Sequence, residues 1–172
     1  RSGLSAASDC RACSQGKFSN NASYDAARDF NESTEAFISD AQCTTCFHGK
    51  FSPSTGRTTE CDGECPMGRF GVQFGMSSSA ECDGNCSAGK WSDQLGFYED
   101  IQCGGRCARG RFSQDTGFTS GSLCPPCTPG FFTDDEGNTV CEECGIGRYV
   151  NTSANTVCAS CHRGAYVRSR GA

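Results

Sequence analysis

Apolar positions along this chain follow neither a helical period nor a long strand alternation. The regular signal is eight aromatic residues, each two places after a glycine, inside a seven-residue box that opens with cysteine. The box reads Cys, two variable residues, Gly, usually a basic residue, an aromatic, then usually a small or hydroxylated residue. It opens at Cys13, Cys46, Cys65, Cys86, Cys107, Cys127, Cys144 and Cys161. Side chains alternate along a strand, so Lys17, Lys50, Arg69, Lys90, Arg111 and Arg148 are expected to face water. Phe18, Phe51, Phe70, Trp91, Phe112, Phe132, Tyr149 and Tyr166 are then expected to point inward onto cystine sulfur. The box glycines, Gly16, Gly49, Gly68, Gly89, Gly110, Gly130, Gly147 and Gly164, lack a Cβ, which permits positive φ or close passage of backbone.

Past each box a glycine follows ten positions after the box cysteine at Gly56, Gly75, Gly96, Gly117 and Gly137, inside S-T-G, Q-F-G, Q-L-G, D-T-G and D-E-G. These are predicted hairpin turns. A return strand is expected to end at Cys61, Cys82, Cys103, Cys124, Cys141 or Cys158. Box cysteines lie 33, 19, 21, 21, 20, 17 and 17 apart, which marks tandem repeats rather than one globule. The units are 13–43, 46–61, 65–82, 86–103, 107–124, 127–141 and 144–158, with an incomplete opening at 161–172 and an end segment, 1–10, that completes a repeat. In the over-long first unit, Ala22 to Ile38 carries Tyr24, Phe30, Phe37 and Ile38 and is expected to form one or two helical turns. The predicted class is small, disulfide-rich and mostly β: an elongated tandem array of short disulfide-stapled β-hairpins with little regular helix.

Composition explains why staples are needed. Leu, Ile, Val and Phe total 23 of 172 residues, a fraction typical of chains too poor in apolar side chains to fold. Sixteen cysteines reverse that reading, because cross-links replace the missing core. Such bonds persist in an oxidising compartment, so an extracellular or cell-surface location is expected. The opening and closing cysteine of a repeat flank the base of one hairpin, where Cα separations suit a disulfide. The expected pairs are Cys13 with Cys43, Cys46 with Cys61, Cys65 with Cys82, Cys86 with Cys103, Cys107 with Cys124, Cys127 with Cys141, and Cys144 with Cys158. A staggered ladder, with Cys10 bonded to Cys43 and Cys13 to Cys46, is the alternative.

A net charge of -5 leaves no basic block to neutralise phosphates, so no nucleic-acid partner is expected. No apolar run is long enough to insert in a membrane, and the polar opening carries no signal peptide, so the chain is expected to be a trimmed product or a piece of something longer. Asn21-Ala22-Ser23, Asn31-Glu32-Ser33 and Asn151-Thr152-Ser153 are glycosylation sequons. Asn85-Cys86-Ser87 fits the pattern formally, but its middle residue is a predicted half-cystine.

Three chemical readings compete for the cysteines. Pairs of C-x2-C and C-x3-C are also zinc-ribbon spacings, but eight pairs would need four sites in an acidic chain bearing sequons. C-x-x-C can also be a redox dithiol, yet eight copies with no helical flank do not resemble one active site. Structural pairing is the reading carried forward, with no cofactor and no metal. His48 and His162 sit in variable box slots without a unique catalytic partner, so both are read as exposed and no enzyme is inferred.

The pattern C-x2-C-x2-G-x-[FY]-S followed by a Gly and a Cys resembles the ephrin-receptor-like cysteine-rich repeat. It is also similar to the single-disulfide module of tumour necrosis factor receptors. The resemblance runs from Cys10 to Tyr166; the C-x3-C junctions and the long first repeat depart from it. It implies an extracellular module and leaves spacer, adhesive stalk and ligand-binding ectodomain open.

Box-position basic residues in a stacked array would form a charged row suited to anionic glycans or other extracellular proteins. Glu60, Asp62, Glu64, Glu81, Asp83, Glu142 and Glu143 would form an acidic one. The expected function is a structural extracellular glycoprotein repeat forming a rod or head-to-tail fibre. A receptor or adhesion ectodomain that binds a protein or glycan is the alternative. Under the hairpin pairing Cys10 and Cys161 remain, and Gly171 lies ten positions after Cys161. A second copy placed after Ala172 would supply its Cys10 as the closing cysteine. The partner expected is therefore the chain itself, head to tail, joined by peptide continuity or by an inter-copy bond from Cys161 to Cys10.

Overall fold

The computed structural model describes residues 12–19, 40, 43–168 and 170. Cys10, Asn21, Asn31, Gly171 and the segment Ala22 to Ile38 lie outside the described residues. Among the described residues there are twelve two-residue strands: β1 (Lys17–Phe18), β2 (Thr44–Thr45), β3 (Lys50–Phe51), β4 (Gly63–Glu64), β5 (Arg69–Phe70), β6 (Gly84–Asn85), β7 (Lys90–Trp91), β8 (Gly105–Arg106), β9 (Phe131–Phe132), β10 (Glu142–Glu143), β11 (Arg148–Tyr149) and β12 (Ala159–Ser160). They pair antiparallel, each with the next in this order, as six separate two-stranded sheets.

The first strand of each sheet is box positions five and six, a basic-aromatic pair in five sheets and Phe131–Phe132 in the other. The second is not the expected return limb. It is the junction between the closing cysteine and the next box, so Phe18 faces Thr44, Phe132 faces Glu142 and Tyr149 faces Ala159. The cystine draws the junction alongside the box, while the glycine-containing loop is left to reach a neighbouring repeat. In the fifth unit the junction is Pro125-Pro126, and the sheet shrinks to a single bridge between Arg111 and Pro126. A proline has no N–H to give a ladder.

Junction length has a steric meaning. Where it holds three residues, a glycine lies opposite the aromatic: Phe51 with Gly63, Phe70 with Gly84, Trp91 with Gly105. A Cβ on Gly63 would come 2.6 Å from the Phe51 ring, and one on Gly84 or Gly105 would also strike its ring. The aromatic lies flat where only hydrogen fits. Loop length has a meaning too. The three units that separate their cysteines by 17 residues insert a 3-10 turn before the closing cysteine, at Ser79–Glu81, Asp100–Gln102 and Gly121–Leu123.

Seven disulfides join Cys13 to Cys43, Cys46 to Cys61, Cys65 to Cys82, Cys86 to Cys103, Cys107 to Cys124, Cys127 to Cys141 and Cys144 to Cys158, with Cα separations of 5.5 to 5.9 Å. These half-cystines are the core: all but Cys43 and Cys141 are buried. The aromatics are mostly half-buried and pack forward, Phe18 on Cys46 and Cys61, Phe51 on Cys65 and Cys82, Phe132 on Cys144 and Cys158. These three rings thus seal the next repeat's disulfide rather than their own, whereas Tyr149 and Tyr166, expected to point inward, are exposed. Seven such bonds assign the fold to an oxidising environment.

Candidate functional site

The feature repeated most faithfully is the step from one unit to the next, and it is built from backbone. Every box cysteine from Cys46 to Cys161 donates its N–H to the carbonyl of the preceding box glycine, at 2.8 or 2.9 Å. The turn glycines then reach back one unit. Gly56 donates to the Cys13 carbonyl, Gly75 to Cys46, Gly96 to Cys65, Gly117 to Cys86 and Gly137 to Cys107, while Ala154 takes the same place against Cys127. Box position seven reaches forward, from Ser19 to Arg57, Ser52 to Met76, Gly71 to Phe97, Ser92 to Phe118, Ser113 to Asn138 and Thr133 to Asn155. Because only backbone and glycine are used, the step tolerates wide variation in side chains.

The box glycine is the tightest point of the step. Its φ is positive, from 72° at Gly68 to 87° at Gly130. In five boxes a Cβ would also land on the backbone carbonyl of the turn two units ahead: Gly16 on Gly75, Gly49 on Gly96, Gly68 on Gly117, Gly89 on Gly137, Gly110 on Ala154. Gly147 and Gly164 have nothing within 4 Å. Accordingly Gly147 is half-buried and Gly164 exposed, whereas the earlier box glycines are buried. A shallow cavity of about 290 Å³ opens beside them, lined by Tyr149, Ser160, Cys161, His162 and Ala165.

Position seven is hydroxylated because it holds the loop that makes the turn. Ser52, Ser92, Ser113 and Thr133 are buried. The Ser92 hydroxyl accepts from the Gln94 N–H at 3.1 Å, Ser113 accepts from Asp115 at 3.1 Å, and Thr133 pairs with the Asn138 amide. In the third unit Gly71 stands there instead, and the buried Met76 thioether takes the space.

Three of the six box basic residues, Lys17, Lys90 and Arg111, are held by partners within the chain. Lys17 pairs with Asp40 and Lys90 with Asp100, both at 2.5 Å, and Arg111 donates to the Cys124 carbonyl at 2.7 Å. The box serine joins each pair: Ser14 N–H and hydroxyl donate to Asp40, and Ser87 N–H and hydroxyl donate to Asp100. The hydrogen bond from Lys17, with those from Ser14, brings Asp40 down to about 2. Partial burial pushes Asp100 up, but the Lys90 and Ser87 bonds outweigh it and its pKa is lowered. Lys50 lies opposite Glu64, and Arg148, opposite Ser160, is exposed.

The acidic row is likewise divided. Asp62 pairs with Arg57 at 2.8 Å, and the Glu81 carboxylate accepts from Ser77 and Ser78, which lowers its pKa. Glu60, Glu64, Asp83, Glu142 and Glu143 are exposed. His162 is exposed, as expected. His48 is not: it is half-buried, stacked 4.0 Å from Tyr98, with Phe74 tilted at 4.9 Å and Phe47 edge-on at 4.1 Å. This group spans three units, and Phe47 and Phe74 remain 60% and 58% exposed.

Of the residues singled out from sequence, Asn151 is exposed and Cys161 is an unbonded, half-buried thiol. Fourteen cysteines are bonded to sulfur, and among the described residues no group of three or more His, Cys, Asp or Glu is arranged to hold a metal ion. Among the described residues no helix is long and apolar enough to cross a membrane. No protein-family model matches the chain, and no curated protein matches it.

Proposed function

We propose that this chain is a non-catalytic, glycosylated extracellular repeat that forms a rod or head-to-tail fibre, with the cystines as its covalent frame. The observation that supports it is the step itself: the same backbone bond joins every box from Cys46 to Cys161 to the box before it. Repeats that contact only near neighbours build length rather than an enclosed site. The likeness of the box to ephrin-receptor-like repeats fits an extracellular setting. Glycans on Asn21, Asn31 and Asn151 suit a surface exposed outside the cell, and a bond from Cys161 to Cys10 of another copy would fix the assembly covalently. Electron microscopy of the purified, oxidised chain, with non-reducing peptide mapping, tests the proposal. Filaments carrying a Cys10–Cys161 peptide are expected, and monodisperse single particles would refute it.

One observation favours a second reading. Phe47 and Phe74 stay exposed around the half-buried His48 and Tyr98, an aromatic cluster that spans three units, the kind of surface an adhesion or receptor ectodomain offers to a protein or glycan ligand. Filaments abolished by no change at these residues, together with a saturable ligand on them, would favour that reading.

A further inference from the structure

At the step from the first unit to the second lies a cavity of about 310 Å³, lined by Phe18, Phe47, Lys50, Glu60, Cys61 and the two threonines of β2. Phe18 and Cys61 are buried and floor it, Lys50 is half-buried, and Phe47, Glu60 and the threonines are exposed around it. The smaller cavity beside Cys161 occupies the same place in the repeat, with Tyr149 standing for Phe18, Ser160 for Thr45, His162 for Phe47 and Ala165 for Lys50. Both hollows occur where a two-residue junction meets a ring at the second box position. They differ in chemistry: of the two, only the first is lined by an amine and a carboxylate. Its ring wall is set in place. Phe47 meets His48 edge-on at 4.1 Å and Phe74 edge-on at 5.3 Å, and the turn that carries Phe74 is seated by the bond from the Gly75 N–H to the Cys46 carbonyl at 2.8 Å.

The lining restricts what can fill it. The Lys50 ammonium only donates hydrogen bonds, the Glu60 carboxylate only accepts them, and the threonine hydroxyls do both. A ligand that meets all of them must donate and accept from the same small body. Charges of opposite sign in one cavity favour neither an anion nor a cation, and the aromatic wall and floor require an apolar face. A sugar ring combines these properties, with hydroxyls around its edge and a C–H face to lie on an aromatic ring. The volume is at the low end for a ligand site, about 300–1,000 Å³, and suits one such ring. Phe74, exposed beside Phe47, continues the apolar surface beyond the cavity. We infer that this cavity binds one neutral sugar residue of a glycan, its C–H face on Phe47 and its hydroxyls on Lys50, Glu60 and β2, with the following sugar on Phe74.

This inference rests on the ectodomain reading and names its ligand class. Calorimetric titration of the oxidised chain tests it, with neutral oligosaccharides of hexose and N-acetylhexosamine, a sulfated polysaccharide and free amino acids as the probes. Saturable binding of a neutral oligosaccharide is expected, with the same affinity at low and high salt because no net charge is paired. Phe47→Ala should weaken it more than about tenfold, as loss of a central aromatic anchor does. Thr44→Trp, which fills the cavity from an exposed strand position, should abolish it. Lys50→Gln and Glu60→Gln each keep a hydrogen-bonding group and should cost less than about tenfold. Val140→Ala, at an exposed position of the sixth unit, should change nothing. Every variant is checked for its seven disulfides by non-reducing peptide mapping. Binding of no neutral oligosaccharide, or binding that Phe47→Ala and Thr44→Trp leave intact, would overturn the site. So would a preference for the sulfated polysaccharide that fades with salt, or for an amino acid. The ectodomain reading would survive any of these results if Phe74→Ala abolished adhesion of deglycosylated cells to the immobilised chain, and would fall with the cavity if it did not.

Discussion

Gly68 and Gly147 occupy the same box position with nearly the same backbone, φ 72° and 81°, yet their surroundings differ completely. A Cβ on Gly68 would strike the Gly117 carbonyl; one on Gly147 would meet nothing within 4 Å. The first fact, positive φ, belongs to the box and its own hairpin. The second belongs to the stack, because the obstructing carbonyl comes from the repeat two units on. One residue type therefore answers two separate demands, and the pair of positions separates them.

Alanine at each position measures the two demands independently. Gly147→Ala carries only the left-handed penalty for an L-residue, about 1 kcal/mol. Gly68→Ala adds an overlap with backbone that no rotamer change relieves, so the loss should reach about 4 kcal/mol or come with failure of the neighbouring repeats to close. Urea unfolding of both variants, followed by the fluorescence of Trp91 and by protease sensitivity, reports the difference. Equal losses would mean that the stack does not constrain the box glycine.

The array was legible in the sequence where its causes are local. Cysteine partners follow from the hairpin base, and Lys17–Phe18 to Arg148–Tyr149 read as strands because alternation and glycine sit side by side. The second strands were not legible: Thr44–Thr45 and Glu142–Glu143 carry no strand pattern and pair only because a disulfide brings them there. Some signals were present and passed over. Gly63, Gly84 and Gly105 recur at the same place in the three-residue junctions, which marks the seat of an aromatic ring. The boxes at Cys13 and Cys86 share C-S-x-G-K, each followed by D-x-x-C, the spelling of the Ser-Lys-Asp cluster. The contact between a box glycine and a turn two units away has no local trace, because it depends on how whole repeats stack.

Ala154 sharpens the comparison from the other side. It stands where five earlier units have glycine, makes the same bond to the preceding box cysteine, and adopts φ 60°. Relief of that strain by Ala154→Gly is partly offset by the greater freedom of glycine in the unfolded chain, so a gain of about 0.5 kcal/mol is expected. The gain should appear in the local opening of the 144–158 repeat, read by hydrogen exchange of the Ala154 N–H relative to that of Gly137. A loss of protection would show that the turn is held by contacts of the alanine methyl rather than against its strain.

The smallest effect expected is the acid response of the two Ser-Lys-Asp clusters, set against repeats that have none. Asp40, through its bonds from Lys17 and Ser14, has its folded pKa lowered to about 2, and Asp100 is lowered through Lys90 and Ser87 after burial is outweighed. A depressed folded pKa means that the contribution is complete above the ordinary carboxylate value of about 3.9 and is lost as pH falls through the folded value. Acid should therefore release the loops of the first and fourth units before any disulfide is affected, while 127–141 and 144–158 stay unchanged. Exposure limits the effect at Asp100 to a few tenths of a kcal/mol, roughly that of a screened surface pair. The sensitive observable is spectroscopic rather than energetic. The Ser14 and Ser87 amide protons donate directly to these carboxylates, at 2.8 and 2.7 Å, so their chemical shifts should titrate with them, Ser14 with a midpoint about 2. Asp40→Asn and Asp100→Asn should each flatten one curve and leave the other. Midpoints in the ordinary carboxylate range would mean that lysine and serine do not hold these side chains in solution.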